Sequence, residues 1–281
     1  MNELISVVVA TYNRPDALGA SLRSLARQTD RNFEIVVADD GSAPQTGDMI
    51  RARLPQLGVP LKHVWQEDRG FRLAEIRNRA IAASAGRYLI FLDGDCLARQ
   101  SFVATHRRLA EPGHFVGGNR VLLSKRLSEH VLAHHLPAEA WDLGTWAFKR
   151  VRGDINRVLP LMDLGLGSLR KRLSNAWEGV RGGNFAFFRS DLERVDGFEM
   201  SFVGWGLEDS DLVIRMIRSG VKRKDGRFAT GVLHLWHPEA DRSQFAAHRA
   251  KLDALLESDR VRALRGLSAL GQERSAFAVS Q

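Results

Sequence analysis

The stretch YLIFLDGDCLA, residues 88–98, decides the fold class predicted for this chain. Its apolar run stops abruptly at two aspartates, Asp93 and Asp95, which are one glycine apart. A strand that is apolar along its whole length is typical of a parallel sheet, because both faces of such a sheet are covered. Two carboxylates at the end of a central strand indicate a place where a cation and a charged ligand meet.

The residues before this stretch alternate between strand and helix patterns. Two apolar, β-branched runs, ISVVVATYN and FEIVVADDGS, end in polar residues, and LKHVWQE predicts a third strand. Helical patterns lie between them. We expect one helix to begin near Pro15 with Asn13 as its cap, and another, LAEIRNRAIAASAG, to close at Gly86. The resulting βαβαβαβ order predicts a parallel sheet covered by helices.

Three of the predicted strands end in polar residues, at positions 11–13, 39–42 and 93–95. In open α/β sheets, ligands bind beyond the carboxyl ends of the strands. Each polar motif by itself also fits a turn or a helix cap. All three together at one sheet edge indicate a ligand site.

Composition limits the class of protein. The 281 residues are 44% hydrophobic and 26% charged, as in a globular protein. No apolar stretch reaches the roughly 18–20 residues of a membrane-spanning helix. MNELISVVVA lacks a basic region before its apolar run, so we expect no secretory signal. Cys96 is the only cysteine, which excludes an internal disulfide and, with the other features, favours the cytoplasm. The formal charge of +8 favours anionic partners: nucleic acid, acidic lipid head groups or phosphorylated substrates.

The sequence contains no glycine-rich phosphate loop. A dinucleotide fold would show G-x-G-x-x-G after the first strand, where this chain has TYNRPD, and the P-loop pattern G-x-x-x-x-G-K-[ST] is absent. Another positive element must therefore neutralise the phosphates of a nucleotide. Asp95, at a strand end, is suited to hold Mg²⁺ or Mn²⁺, hard ions that favour carboxylate and phosphate oxygen.

The ordered series of motifs resembles the family 2 glycosyltransferases of the GT-A fold. ISVVVATYNRPDAL, FEIVVADDGS and RNRAIAASAGRYLIFLDGD carry the resemblance, and D-G-D stands where that fold has its D-x-D motif. Downstream, VRGGNFAFFRSDLERVDGFEMSFVGWGLEDSDLVIRMIRSG is similar to the acceptor half of galactosyltransferase-type and chondroitin-polymerase-type enzymes, with G-W-G-x-E-D as its core. The two similarities cover residues 4–118 and 180–240.

The resemblance implies an α/β fold of the GT-A type: a Rossmann-like, mostly parallel central sheet flanked by helices, with a helical insertion and a C-terminal helix. Residues 1–118 would form the nucleotide-sugar-binding half and residues 119–281 the acceptor-binding half of one continuous domain. The segment 120–181 carries 11 Lys and Arg against 6 Asp and Glu. Its basic, amphipathic helices would shape an acceptor pocket, rest on an anionic membrane surface, or simply cover the sheet. We expect the last ten residues to fray.

For the donor side, the resemblance places Asp95 on a divalent cation, Mn²⁺ or Mg²⁺, and Asp93 near the ribose or the ion. Gly94 lies between them in the same motif. Arg77, on the helix that precedes this strand, would approach the base or the diphosphate; the alternative is a solvated helix arginine. The nucleoside contacts would come from the ends of the first two strands, at Thr11, Tyr12, Asp39 and Asp40.

For the acceptor side, the resemblance assigns Asp209 as the general base that takes the proton of the attacking hydroxyl, and Glu208 as a binder of acceptor hydroxyls. Acids at a helix N-terminus are also common caps, which is the alternative for Glu208 and for the nearby Asp211. The acceptor would further contact an apolar platform and a tight loop, formed by Trp205, Gly206, Gly183 and Asn184. Ordinary core packing is the alternative for the tryptophan.

The segment GVLHLWHPE adds two histidines, His234 and His237. In an ideal strand, positions i and i+3 face opposite sides, so the strand must end or bend between them to present both to one ligand. Galactosyltransferase-type enzymes complete their metal site with a histidine at about this distance after E-D. By this resemblance His237 is the better candidate for a metal ligand, with His234 as the alternative.

These features predict a metal-dependent, inverting glycosyltransferase. It would move a hexose or N-acetylhexosamine from a UDP-sugar to a hydroxyl of a saccharide or glycolipid acceptor, in the synthesis of surface polysaccharide or glycoconjugates. We expect it in the cytoplasm, peripherally at the inner face of the membrane, with no nucleic acid partner. One alternative, a sugar-nucleotide pyrophosphorylase, needs a G-G-x-G-type loop that is missing here. The other, a non-catalytic basic binding protein, would not need D-x-D, E-D and histidines together.

Overall fold

The computed structural model describes residues 3–270. Within these residues the strands are, in chain order, β1 (Ile5–Thr11), β2 (Phe33–Asp39), β3 (Leu61–Trp65), β4 (Tyr88–Asp93), β5 (Cys96–Ala98), β6 (His114–Gly117), β7 (Arg120–Leu122), β8 (Asn184–Phe188), β9 (Lys222–Asp225) and β10 (Val232–His234). The α-helices are α1 (Pro15–Ala26), α2 (Pro44–Leu57), α3 (Leu73–Ala83), α4 (Phe102–Leu109), α5 (Lys125–Ala133), α6 (Leu143–Val151), α7 (Arg189–Arg194), α8 (Glu208–Arg218) and α9 (Phe245–Leu256).

The central sheet has seven strands in the order β3-β2-β1-β4-β8-β6-β9. β3, β2, β1 and β4 are parallel neighbours, as the βαβ pattern predicts, because each crossover helix returns the chain to the same edge. β8 runs antiparallel to β4 and β6, and β9 is parallel to β6. The prediction of a mostly parallel α/β sheet is confirmed.

Both faces of this sheet are covered by apolar side chains. Successive residues of a strand point to opposite faces, and β1 shows the consequence for both layers. Val7 packs in one cluster with Leu18 and Leu22 of α1. Val8 packs in another cluster with Ile76 of α3. The continuous apolar character of the strands follows from this burial on two sides.

A second, three-stranded sheet has the order β5-β10-β7. β10 is antiparallel to β5 and parallel to β7. β5 directly follows the D-G-D motif, and the pairing sets His234, the last residue of β10, opposite Cys96. This small sheet therefore carries the histidine segment to the end of β4, which the sequence separates from it by more than half of the chain.

The insertion 120–181 is only partly helical. It opens with β7, continues through α5 and α6, and then forms short 3-10 turns at Leu159–Leu161 and Gly167–Lys171. Trp146 of α6 is buried in a cluster with Leu127 of α5 and Val121 of β7. Its apolar residues thus cover the small sheet, and the prediction of a helical cover is confirmed for α5 and α6 alone.

The helix α1 begins at Pro15 as predicted, but Asn13 is not its cap. The residue before the helix is Arg14, which makes no capping hydrogen bond with its side chain. Asn13 has a left-handed backbone with φ of 48°. Its Oδ1 accepts a hydrogen bond from the Ala43 N–H at 2.9 Å. The amide therefore joins the loop after β1 to the start of α2 instead.

The predicted end of α3 at Gly86 is also wrong, since the helix ends at Ala83. Gly86 lies against β1, where its N–H donates to Ser6 Oγ at 2.8 Å. A Cβ at Gly86 would stand 2.5 Å from the Ser6 nitrogen. The glycine is needed because two backbones approach closely, not because a helix ends there.

The C-terminal helix is present as α9. No helix within residues 3–270 combines the length and the apolar composition that crossing a membrane requires. The expected fraying of the last ten residues concerns positions outside the described part of the chain.

We expect Gly86→Ala to lower the free energy of unfolding by about 1–3 kcal/mol, the usual cost of overpacking, because the new methyl group would press on the β1 backbone. Gly165→Ala is the matched control, since no heavy atom lies within 4 Å of a Cβ built there. Urea unfolding followed by circular dichroism measures both. Equal stability of the two variants would contradict the close approach at Gly86.

Candidate active site

A cavity of about 630 Å³ opens at the carboxyl ends of β1 and β4. This size suits a small-molecule ligand. Most of the predicted site residues line it together: Thr11, Tyr12, Asp40, Arg77, Asp93, Gly94, Asp95, Gly183, Trp205, Gly206, Glu208, Asp209 and His237. Three predicted residues lie outside the lining: Asp39, Asn184 and His234.

Asp93 is held between two arginines that reach it from opposite sides. Its Oδ1 lies 3.2 Å from Nη2 of Arg77, on α3, and its Oδ2 lies 3.1 Å from Nη1 of Arg120, on β7. Both carboxylate oxygens are therefore paired with guanidinium groups. The protein itself neutralises the charge of this aspartate.

Asp95 faces two imidazole rings instead. The Nε2 atom of His234 lies 3.5 Å from Oδ1 of Asp95, and that of His237 lies 3.4 Å from Oδ2. The centres of the two rings are 5.1 Å apart. β10 ends at His234. The chain thus leaves strand geometry between the two histidines, which is what allows both to face one carboxylate.

The hydrogen bond of His237 determines which ring nitrogen carries its proton. Its Nδ1 lies 2.6 Å from the carbonyl oxygen of Pro238. A carbonyl can only accept, so Nδ1 is the protonated nitrogen of the neutral ring. Nε2 then directs a lone pair toward Asp95. Two acceptors that face each other, here Nε2 of His237 and the Asp95 carboxylate, are unfavourable unless a cation lies between them. A hydrogen bond from the other ring nitrogen to a carbonyl is common for histidines that bind metals.

The residues around Asp95 fit a divalent cation. Asp93, Asp95, Cys96 and His234 bring one ligand atom each within 4.8 Å of one another. Burial raises the pKa of the Cys96 thiol and so disfavours the thiolate, while burial lowers the pKa of His234 and keeps that ring neutral. The most suitable donors are therefore Asp95, His234 and His237. A mixed carboxylate and imidazole set suits Mn²⁺ better than Mg²⁺, which is bound mainly through oxygen.

Asp40 is a buried acceptor on the cavity wall. Its Oδ1 accepts from the Gln66 amide at 2.6 Å, and its Oδ2 accepts from the Arg72 N–H at 2.7 Å. Burial raises the pKa of Asp40 to about 6. The carboxylate therefore stands in a low-dielectric position where a further hydrogen bond from a ligand N–H would be favourable.

Asp39 has a different place from the one expected. Its Oδ1 accepts from the Ser42 N–H at 2.8 Å, and its Oδ2 lies 2.9 Å from Nε2 of His63. The side chain is buried and does not line the cavity. One oxygen thus bonds the turn after β2 and the other bonds a histidine of β3, and the expected nucleoside contact of Asp39 remains a prediction.

Arg77 connects the two walls of the cavity. It is 1% exposed, so the alternative of a solvated helix arginine is wrong. Its Nη1 donates to Glu208 at 3.1 Å, and its Nη2 donates to Asp93 at 3.2 Å and to the Gly182 carbonyl at 3.1 Å. The guanidinium also lies within 6 Å of the ring centres of two aromatic residues, Phe185 and Phe198.

Glu208 and Asp209 begin α8 but have different surroundings. Burial, with the Asp209 carboxylate beside it, raises the pKa of Glu208 to about 7, although Arg77 opposes the shift. Asp209 is half-buried, and its oxygens accept from the N–H groups of Gly182 at 2.8 Å and of Ser210 at 2.7 Å. Asp209 thus bonds the N–H of Ser210 in the first turn of α8, as a helix cap would, and also the N–H of Gly182 outside the helix.

Trp205 lies on the cavity wall and is partly exposed, so the alternative of core packing is wrong. Its ring centre is 6.2 Å from that of Phe245, and the Arg242 guanidinium lies 5.0 Å from it. The chain turns at Gly206 with φ of 100°, a conformation that favours glycine. The turn holds the indole beside the acids of α8.

The G-G-N loop at residues 182–184 packs closely against the residues of the site. A Cβ at Gly183 would collide with the Asp93 carboxylate. Asn184 is fully buried, and its Nδ2 donates to the carbonyls of Asn119 at 3.0 Å and Thr230 at 2.6 Å. Its amide nitrogen therefore joins two loops under the site, and the expected acceptor contact of Asn184 remains a prediction.

Sequence reasoning missed four of the five arginines of the cavity wall, all except Arg77. Arg120 is the most important, since it pairs with Asp93, but no known motif marks it. A signal that points to it is the repeat of G-G-N at residues 117–119 and 182–184, directly before Arg120 and at β8. The other cationic side chains of the lining are Arg14, Arg181 and Arg242.

We expect Arg77→Gln to lower the free energy of unfolding by about 3–5 kcal/mol, the usual result of leaving a buried carboxylate unpaired. The folded state already raises the pKa of Glu208, and losing the guanidinium would raise that pKa further. A carboxyl group whose pKa is higher in the folded than in the unfolded state lowers the free energy of unfolding. That loss grows as the pH rises from the unfolded-state pKa to the folded-state pKa. The loss should therefore be larger near about pH 8 than near about pH 5.

Arg79→Gln is the control, because Arg79 lies on the same helix but its side chain is 35% exposed. Its ion pair with Glu75 should contribute less than about 1 kcal/mol. Urea unfolding at both pH values measures the two variants. Equal losses, or a loss at Arg77 that is independent of pH, would show that the guanidinium does not neutralise the two carboxylates.

Two family models match the chain on either side of this cavity. The model of glycosyl transferase family 2 matches residues 6–192. A model described as the N-terminal domain of galactosyltransferase matches residues 166–238. The first match includes D-G-D, and the second includes G-W-G-x-E-D and both histidines.

The curated relatives include glycosyltransferases that make different products. Validoxylamine A glucosyltransferase of Streptomyces hygroscopicus subsp. jinggangensis is 34% identical over 245 residues, which cover 82% of this chain and 55% of that protein. Chondroitin synthase of Escherichia coli is 27% identical over 231 residues, which cover 77% of this chain and 32% of that protein. The chain thus spans about half, or less, of the length of these relatives.

Solved structures share the fold. The family match supports a transferase over the two alternatives, a sugar-nucleotide pyrophosphorylase and a non-catalytic basic binding protein. A mannosyltransferase from Pyrobaculum calidifontis, in complex with GDP-Man and Mn²⁺, has a TM-score of 0.59 at 18% identity, covering 99% of this chain and 81% of that chain. S. aureus TarS with UDP has a TM-score of 0.58 at 15% identity, covering 89% and 64%. Because the first family model matches most of the sequence, this chain belongs to glycosyl transferase family 2.

Proposed function

We propose that this enzyme is a metal-dependent, inverting glycosyltransferase that moves a hexose or N-acetylhexosamine from a UDP-sugar to a hydroxyl of a saccharide or glycolipid. One observation carries the proposal: a single cavity contains Asp95 at a strand end and Asp209 at a helix start, and Arg77 connects the two walls. Residues 1–118 would supply most of the donor site and residues 119–281 most of the acceptor site.

The reaction sets two requirements. As the acceptor oxygen attacks the anomeric carbon, its hydroxyl loses a proton, and the bond from that carbon to the diphosphate breaks with its electron pair leaving on UDP. A proton acceptor must lie on one side of the sugar and positive charge on the other. A single displacement of this kind inverts the anomeric carbon.

The nucleoside would bind over the ends of β1 and β2. Asp40 would accept a hydrogen bond from the nucleobase, beside Thr11 and the aromatic ring of Tyr12. S. aureus TarS was solved with UDP and with UDP-GlcNAc, which supports a uridine donor, while the mannosyltransferase was solved with GDP-Man. The buried acceptor at Asp40 suits the imide N–H of uracil.

The divalent cation would be held by Asp95 and His237, with His234 as a further ligand or as a hydrogen-bond donor to the same carboxylate. When bound, it would offset the negative charge that develops on the leaving diphosphate. Arg120 adds fixed positive charge beside the same motif, since its Nη1 is the partner of Asp93. Mn²⁺ is the preferred ion for this donor set, and the mannosyltransferase structure contains it.

Asp209 is the proposed general base. It is less buried than Glu208, and two backbone N–H groups hold its carboxylate in place at the cavity wall. Glu208 is fixed by Arg77, so its role would be to orient an acceptor hydroxyl. Trp205 would place its indole under the acceptor sugar ring, beside the glycine of the turn.

The acceptor would be a saccharide or glycolipid used in surface polysaccharide or glycoconjugate synthesis. The names of the relatives, a chondroitin synthase among them, support a saccharide acceptor. We also propose a peripheral contact with anionic membrane through the basic segment 120–181.

We expect Asp95→Ala to abolish transfer and to remove the Mn²⁺-dependent part of UDP binding, because the variant lacks the carboxylate of the proposed ion site. His237→Ala should weaken both, and His234→Gln should weaken them less. UDP-induced thermal stabilisation, with and without Mn²⁺, and UDP release measure the two effects. Asp48→Ala and His130→Ala, on the outer helices α2 and α5, are controls. Full Mn²⁺-dependent activity of Asp95→Ala would refute the assignment.

We expect Asp209→Asn to lower kcat by about 10²–10⁴-fold, the usual contribution of a general base. Donor and Mn²⁺ affinity should remain near the wild-type values, because neither interaction needs this proton acceptor. Glu208→Gln, measured in parallel, should raise the acceptor KM. Turnover and UDP-sugar binding are measured on the same preparation. Near-normal turnover of Asp209→Asn would exclude it as the base and make Glu208 the next candidate.

A further inference from the structure

Helix α6 presents apolar side chains to solvent. Val151 is 86% exposed, Phe148 is 58% exposed and Leu143 is 44% exposed. Leu143, Ala147 and Val151 are spaced by four residues, so they lie on one side of the helix with Phe148 beside them. Trp146, on the other side, is buried against the small sheet. The helix is therefore anchored with its apolar side facing outward, which indicates an interaction surface.

Positive charge lies at the C-terminal end of this apolar group, while the exposed Asp142 lies at its other end, before Leu143. The buried carboxylate of Asp154, just after α6, is approached by three basic side chains: Arg126 at 2.6 Å, Lys149 at 3.5 Å and Arg152 at 4.0 Å. One carboxylate leaves two of these three charges uncompensated. Arg150 is exposed on the same helix. The Arg152 guanidinium lies 5.6 Å from the Phe148 ring, so cationic and apolar groups are interleaved.

We propose that these residues, Leu143, Phe148, Val151, Arg150 and Arg152, form a surface that binds an anionic lipid bilayer; we call it the α6 surface. Its apolar side chains would enter the boundary between head groups and acyl chains. Its arginines would contact the phosphate groups of anionic lipids. Two copies of so basic a surface would repel each other, which disfavours self-association as its purpose.

The α6 surface continues toward the cavity. Arg126 of α5 contacts Asp154 at the end of α6, and its neighbour Lys125 places its Nζ 5.1 Å from the Trp236 ring. Trp236 directly precedes His237. A bilayer on the α6 surface would therefore lie on the histidine side of the cavity mouth. This deepens the proposed function, on which it rests: the acceptor would be a glycolipid whose sugar extends from that bilayer.

Cosedimentation with vesicles tests the surface. The full chain is mixed with vesicles of phosphatidylglycerol and phosphatidylcholine in equal parts, or of phosphatidylcholine alone. We expect binding to the anionic vesicles that falls as salt rises, because salt screens the attraction. Phe148→Ser with Val151→Ser should abolish binding. Arg150→Gln with Arg152→Gln should weaken it about 25-fold, since each basic residue near an anionic surface contributes roughly fivefold.

Matched controls remove equivalent groups elsewhere. Leu264→Ser removes an apolar side chain that is 82% exposed, and Lys222→Gln with Arg249→Gln removes two cations from other elements. These variants should bind like the wild type. The inference is overturned by absence of binding to anionic vesicles at low salt, or by equal losses in the controls. It is also overturned if the α6 substitutions dissociate a dimer seen by light scattering without lipid.

Release of UDP from a UDP-sugar without vesicles separates this inference from the proposed function. The α6 variants should release UDP like the wild type. A wild-type protein that releases UDP but does not bind vesicles overturns the α6 surface alone. A protein that binds vesicles through the α6 surface but releases no UDP with any donor overturns the proposed function and leaves the lipid contact standing.

Discussion

A buried guanidinium shared by two carboxylates holds the two walls of the cavity together. Arg77 bonds Asp93 on one wall and Glu208 on the other, and it also binds the Gly182 carbonyl. Arg77 and Glu208 are buried and the Asp93 side chain is 27% exposed, so these charges rely mainly on one another and their mutual positions are strongly constrained. The loop must pass very near them, which explains why Gly183 has no room for a side chain and Gly182 has little.

The same contacts distinguish the neighbouring acids by their partners. Asp93 has an arginine on each oxygen and Glu208 has one of the same arginines, so both are structural partners before any ligand arrives. Asp95 has two imidazoles and the Cys96 thiol beside it, and Asp209 accepts from two N–H groups and the Ser210 hydroxyl. The two acids without a guanidinium partner are therefore those best able to respond to a cation or a proton, and they are the ones given chemical roles here.

Motifs predicted much of this arrangement because they mark strand ends and helix starts. The parallel order of β1 to β4 follows from alternating apolar runs, and most predicted site residues do line one cavity. What could not be read from the sequence depends on neighbours far along the chain. Asn184 has the residue type of a ligand contact, yet it is buried between the loops of Asn119 and Thr230. Arg120 belongs to no known motif. Position 86 needs a glycine because the backbone of β1 lies too close for a Cβ.

The position of β8 in the central sheet has a consequence for folding. β4, which ends at Asp93, is flanked by β1 on one side and by β8 on the other, and β8 is synthesised only after the whole insertion. Until then the nascent chain has an apolar strand with an unpaired edge, a feature that invites aggregation. Pairing over so long a sequence separation also slows folding. The two halves of the chain are thus not separate units of folding, and neither is suited to be expressed alone.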